Sequence, residues 1–182
     1  MSTYPIYTLE SAPEKSKLVL RRLQEAFGLI PNIAGAMAGS PVLINGFIGV
    51  FQEAHSGSFT EAEIQTLLLT NAVTNACTWA VAFHTALALK EGLDPSDVQA
   101  IRERRAPRDI KHAALSYMAR TLIEKRGCVD DQDIAVFTKA GFTRNTVLDV
   151  ILVVAASTIT NYTGSVTQPP LEQMFQEHAW EA

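Results

Sequence analysis

Cysteine is nearly absent: 182 residues hold only Cys77 and Cys128, too few for a disulfide-stapled secreted fold. An excess of positive charge is missing too. Fifteen Lys and Arg stand against nineteen Asp and Glu, a net charge of −4, so no overall basic field exists to hold nucleic acid. The first residues, Met1-Ser2-Thr3-Tyr4-Pro5, carry neither the basic nor the apolar region of a leader, and the expected location is cytoplasmic. The four histidines, at 55, 84, 112 and 178, fall at no ligand spacing, so neither a metal nor a cofactor is expected. Alternating β-branched runs joined by Asn-Gly or Asp-Gly turns are lacking, which argues against hairpins. No repeat, low-complexity tract or linker divides the chain, so residues 1–182 are read as one domain.

Apolar residues make up 47% of the chain and charged ones 19%, which excludes disorder and provides for a core. Helix start and stop signals then recur along nearly the whole length, and the fold class they predict is all-α. Ser11-Ala12-Pro13-Glu14 has capping-box spacing, as does Thr60-Glu61-Ala62-Glu63. Ser40-Pro41, Asp94-Pro95, Asp109 and Asp130 or Asp131 are further N-caps, and Thr143 opens the last long helix. The helix from Thr60 is expected to fray between Thr70 and Asn75, where Thr, Asn and Val accumulate. The tail from Leu171 is expected to form a helix or an arm.

Ile64 to Leu89 carries no formal charge and is long enough to cross a membrane. Its Gln65, Asn71, Asn75, His84 and several threonines make lipid a poor solvent for it, and a deeply buried helix pair is expected instead. The centre of the last long helix, Val150 to Ala156, is apolar all round, which a helix tolerates only when other helices or subunits surround it. Oligomerisation is therefore expected.

The chemistry concentrates between Asn75 and Leu89. With Asn75 as N-cap, Cys77 would sit in the first helical turn, where free N–H groups and the macrodipole lower a thiol pKa. Cys77, Ala80 and His84, at i, i+3 and i+7, would share one helix face. Glu63, fourteen residues before Cys77, is the nearest carboxylate, though as third helical residue it also suits a cap on Thr60. Cys128 follows Arg126-Gly127 at a helix end and is read as a surface thiol, with a smaller role open to it as resolver of an oxidised Cys77. Arg102 to Arg108 reads as a solvated helix end.

In this segment, with its core at about 60–92, the chain resembles the alkyl hydroperoxidase D and carboxymuconolactone decarboxylase superfamily. The resemblance rests on Asn75-Ala76-Cys77, Trp79, His84-Thr85-Ala86-Leu87-Ala88 and Gly92-Leu93. It extends through Pro31-Asn32, Ser40-Pro41, Gly141-Phe142, Asn161 and Pro170-Leu171 to the peroxidase-related branch. It implies an oligomeric multi-helix bundle, a trimer or hexamer, with Cys77, His84 and Glu63 as catalytic candidates. Two departures remove chemistry: the second cysteine of the family's Cys-x-x-Cys falls on Ala80, and its glutamate falls on Gln65. No local disulfide can form, and an amide cannot shuttle a proton.

Three functions follow from the resemblance. The first is an antioxidant peroxidase reducing alkyl hydroperoxides through the single cysteine Cys77, with His84 as proton donor or acceptor and an external thiol as reductant. The second is a cofactor-free lyase acting through His84 on a lactone-like small molecule. The third is a non-catalytic homologue that binds a small apolar ligand or a partner protein.

Overall fold

The computed structural model describes residues 4–181, and within them every regular element is helical. Nine α-helices run in order: α1 (Glu14–Phe27), α2 (Asn32–Met37), α3 (Pro41–His55), α4 (Glu61–Thr74), α5 (Thr78–Lys90), α6 (Pro95–Arg102), α7 (Ile110–Glu124), α8 (Asp131–Lys139) and α9 (Thr146–Thr167). A 3₁₀ helix, Gln173–His178, closes the chain.

Most of the capping signals work as read. Ser40, Asp94 and Asp109 accept backbone N–H groups at the starts of α3, α6 and α7. Thr60 with Glu63 and Asp130 with Asp133 form complete capping boxes. The first expected box does not form. α1 begins after Pro13 with no side-chain cap, because the Ser11 hydroxyl accepts the Thr8 N–H in the preceding turn. α9 begins at Thr146 rather than Thr143, whose hydroxyl instead accepts the Thr146 N–H. The short helix α2, for which no signal was read, starts at the residue after Pro31.

The expected fraying between Thr70 and Asn75 does not occur. Leu69, Asn71 and Ala72 are fully buried, and the Thr70 hydroxyl donates to Ser116 on α7 at 2.9 Å. Packing on all sides overrides weak local propensity. α4 packs against α5, α6, α7 and α9. It therefore divides the core in two: one apolar cluster gathers around Leu20, Met37, Ile44 and Val81, the other around Leu67, Leu115, Met118 and Phe137. This central place explains the charge-free sequence from Ile64 onward.

α9 is long and apolar enough to cross a membrane by composition, but it lies against α2, α3, α4, α5 and α7. Its opposite side leaves Leu148, Ile151, Tyr162 and Val166 exposed. The tail folds back as a strap over α5 and α6. The Glu172 carboxylate accepts the Asn32 N–H at 2.6 Å and the Trp79 indole N–H at 2.9 Å. Arg102 is not merely solvated. Its guanidinium donates to Thr85 Oγ1 and to the His178 and Ala179 carbonyls, and its own carbonyl accepts the Trp180 indole N–H.

Candidate functional site

The junction between α4 and α5 decides where the chemical groups point. Asn75 does not cap α5; it ends α4. Ala76 follows with φ +52°, its N–H bonding the Val73 carbonyl and the Cys77 N–H that of Ala72. This is a Schellman ending with alanine where glycine is usual. Cys77 thereby ends one helix and is itself the N-cap of the next. The N–H groups of Ala80 and Trp79 favour its thiolate, but burial outweighs them and pushes the thiol pKa up rather than down. The sulfur rests against α9, where a Cβ added to Gly164 would stand 2.6 Å from it. Cys77 lines a surface groove of about 470 Å³ beside Ala76, Thr78, Ser165 and Gln168.

His84, two turns further along α5, belongs to a different cavity. That cavity, about 50 Å³, is walled by Phe27, Phe47, Phe51, Leu68, Trp79 and Phe83, and its polar lining comes from His84, Ser157 and Thr160. Trp79 stacks on Phe83 with ring centres 4.9 Å apart, and His84 meets Phe83 edge-on at 5.2 Å. Among the described residues no Lys, Arg, Asp or Glu side chain lines this space. The face shared by Cys77, Ala80 and His84 in the sequence therefore does not become a shared site.

The residue that reaches His84 is Gln65. Its Oε1 lies 3.0 Å from His84 Nδ1 within the core. An amide oxygen only accepts, so Nδ1 carries the proton and Nε2 keeps its lone pair. Among the described residues Nε2 has no hydrogen-bond partner, and it is not one of the fully enclosed orphan atoms; it is the ring nitrogen left to an occupant of the cavity. Burial, with a smaller push from His55, lowers the His84 pKa to about 3.

Glu63 stands apart from both groups. Its Oε2 accepts the Thr60 N–H at 2.9 Å and the Thr60 hydroxyl at 3.2 Å, and its Oε1 is 3.9 Å from Lys111. The carboxylate serves the cap. Cys128 is exposed and Cys77 buried, and they form no disulfide. Among the described residues no three His, Cys, Asp or Glu side chains gather as metal ligands would. Sequence reasoning missed two participants. Gln65 appeared only as a polar residue of a buried segment and as a lost glutamate, and Ser157 directly follows the apolar run Val150 to Ala156, which drew attention away from it.

No family model matches this chain, and no curated protein does. Solved structures match over nearly its whole length. An uncharacterized peroxidase-related protein from Ralstonia eutropha JMP134, described as an alkylhydroperoxidase AhpD core, superposes with a TM-score of 0.82 at 18% identity, covering 96% of this chain and 94% of its own. An uncharacterized peroxidase-related protein from Silicibacter sp. TM1040 gives 0.77 at 20% identity, over 95% and 92%. The debrominase Bmp8 gives 0.73 at 14% identity, over 91% and 90%; a cysteine-to-alanine variant of it has been solved with 2,3,4-tribromopyrrole. The chain has the alkylhydroperoxidase AhpD-core fold, in agreement with the resemblance read from its residues.

Proposed function

We propose that the chain is a member of the alkyl hydroperoxidase D and carboxymuconolactone decarboxylase superfamily whose working group is His84, and that it moves a proton on a small, uncharged, lactone-like molecule without a cofactor. One observation carries the reading: His84, which lines an apolar cavity, has its Nδ1–H bonded to Gln65 Oε1, which leaves the lone pair on Nε2. In the reaction Nε2 takes a proton from a carbon next to the substrate carbonyl, and the C–H electron pair moves into an enolate. The imidazolium, costly in an empty cavity, is stabilised by the anion formed beside it, since the apolar walls strengthen their attraction. The proton then returns to a different carbon, so no oxidant or reductant is consumed. The absence of cationic side chains from the wall favours a ring lactone over a free carboxylate.

The test follows the isomerisation of a β,γ-unsaturated γ-lactone to its α,β-unsaturated isomer by absorbance. Turnover that survives Cys77→Ser and disappears in His84→Ala is expected. Loss with Cys77→Ser and retention with His84→Ala would overturn the reading.

A second reading keeps Cys77 as a one-cysteine peroxidatic group. It is favoured by the two N–H groups at the sulfur and by the groove that reaches it, independently of His84. It is weakened by the raised thiol pKa and by the absence of a second thiol at Ala80. Cys77-dependent consumption of tert-butyl hydroperoxide with an external thiol, at a rate unaffected by His84→Ala, would establish it. The exposed stripe of Leu148, Ile151, Tyr162 and Val166 on α9 supports self-association. Sedimentation showing an oligomer that Tyr162→Lys dissociates is the expected result.

A further inference from the structure

The cavity has a second polar pole on α9. Ser157, 1% exposed, lines the cavity with His84. Its Oγ accepts the Asn161 Nδ2–H at 3.1 Å, and among the described residues no acceptor takes its own hydroxyl hydrogen. Asn161 is completely buried, and among the described residues its Oδ1 has no partner. Asn71 on α4 is equally buried, with both amide atoms unpaired among the described residues. Leu68 and Ser157 share the cavity wall, and Asn71 and Asn161 lie one helical turn beyond each of them. Neither amide lines the cavity itself, and Asn161 acts on it through Ser157. The Asn161 bond fixes Ser157 with one lone pair occupied, so its hydrogen is the part available to an occupant.

We propose that Ser157, held by the positioning residue Asn161, is the hydrogen-bond donor of this site and receives a carbonyl oxygen of the substrate. The inference rests on the reading of His84 as proton acceptor and adds what that reading lacks. A neutral imidazole with Nδ1–H committed to Gln65 presents only a lone pair, whereas the enolate oxygen formed during proton removal needs a donor. A lone-pair acceptor and a hydroxyl donor in one apolar cavity select a small molecule with a carbonyl oxygen and an acidic C–H beside it. A hydrocarbon would leave both groups unpaired, and a carboxylate would arrive without a counter-charge.

The experiment uses carbonyl-labelled [2-¹³C]acetone as probe, with ¹⁵N detection of the His84 ring. In the intact protein a saturable response at His84 is expected. The bound carbonyl resonance should lie downfield of its position in hydrocarbon solvent, as donation to oxygen requires. In Ser157→Ala the His84 response should persist with affinity weakened about five-fold, and the carbonyl should move to the hydrocarbon position. A bound carbonyl already at the hydrocarbon position in the intact protein overturns the proposal without any variant. A downfield carbonyl unchanged in Ser157→Ala also overturns it, leaving the role of His84 intact. Absence of a saturable response at His84 removes both readings together.

Discussion

Protonating His84 should be among the main costs of acidifying this protein. The folded pKa is about 3 against an ordinary 6.5. The unfolded chain therefore takes up a proton that the folded chain refuses. The corresponding stability is fully present above pH 6.5 and is lost as pH falls from 6.5 towards 3. Each unit in that window is worth about 1.4 kcal/mol, so lowering pH from 7 to 4.5 should remove about 2.5 kcal/mol. Against ordinary domain stabilities of about 5–15 kcal/mol that is a measurable part. The assay is urea unfolding at a series of pH values on the native chain and on His84→Gln, whose amide does not titrate. The difference between the two curves should change by about 2.5 kcal/mol between pH 7 and 4.5. Parallel curves would show that His84 is hydrated or paired in a way the geometry does not contain, and would refute the argument. Gln65→Glu sharpens the test: a carboxylate 3.0 Å from Nδ1 favours the imidazolium, raises the His84 pKa and shrinks the acid loss.

Gly164→Ala drives a methyl to within 2.6 Å of the Cys77 sulfur and should cost about 1–3 kcal/mol. Cys77→Ala in the same chain should recover much of it in a double-mutant cycle, and strict additivity would contradict the contact. Thiol labelling at neutral pH should modify exposed Cys128 quickly and buried Cys77 slowly, with mass spectrometry of the peptides as readout; equal rates would contradict the burial. Glu172→Ala removes the acceptor shared by the Asn32 N–H and the Trp79 indole. It should speed hydrogen exchange in residues 168–181 well before global unfolding, and unchanged protection there would show that the strap is held elsewhere.

The helices were legible because their signals are local. Thr60 with Glu63 states a helix start within four residues, and Asp130 or Asp131 marks another; both starts are realised, the second as an Asp130–Asp133 box that was not read as one. Where the sequence misled, a competing partner had intervened, near in the chain or far from it. Ser11 was already engaged with Thr8, and the weak helix formers at 70–74 are held by Ser116 and by burial within the bundle. The site was legible as a list of residues but not as an arrangement. Helical spacing put Cys77 and His84 on one face, yet Cys77 precedes the helix and turns to Gly164, while His84 turns inward to Gln65. A pairing across nineteen residues and two helices has no periodicity to betray it. Ser157 was hidden for the same reason, since only the fold shows that its neighbours form a cavity wall.

Gln65 and Ala80, the two positions at which the chain departs from the pattern it resembles, should act on one another, which sets a test of what thiol chemistry in this fold would require. A carboxylate at 65 would let His84 carry a proton, and a thiol at 80 would lie one turn from His84 and three residues from Cys77, linking groups that now face different cavities. Ala80→Cys alone places a second sulfur beside a histidine that can accept a proton at Nε2 but whose Nδ1–H is held by an amide, which does less than a carboxylate to stabilise the imidazolium so formed. Gln65→Glu alone charges a histidine that has no thiol to serve. Each single change should therefore leave thiol-dependent consumption of tert-butyl hydroperoxide near background, while the pair should raise it by far more than the product of the two. Ala80 is fully buried, so its new sulfur should cost about 1–3 kcal/mol of stability, and rates must be compared at temperatures where every variant is folded. If Ala80→Cys alone restored peroxide reduction, the Gln65 to His84 bond would not be what isolates the thiol, and the proton path would have to run through another group.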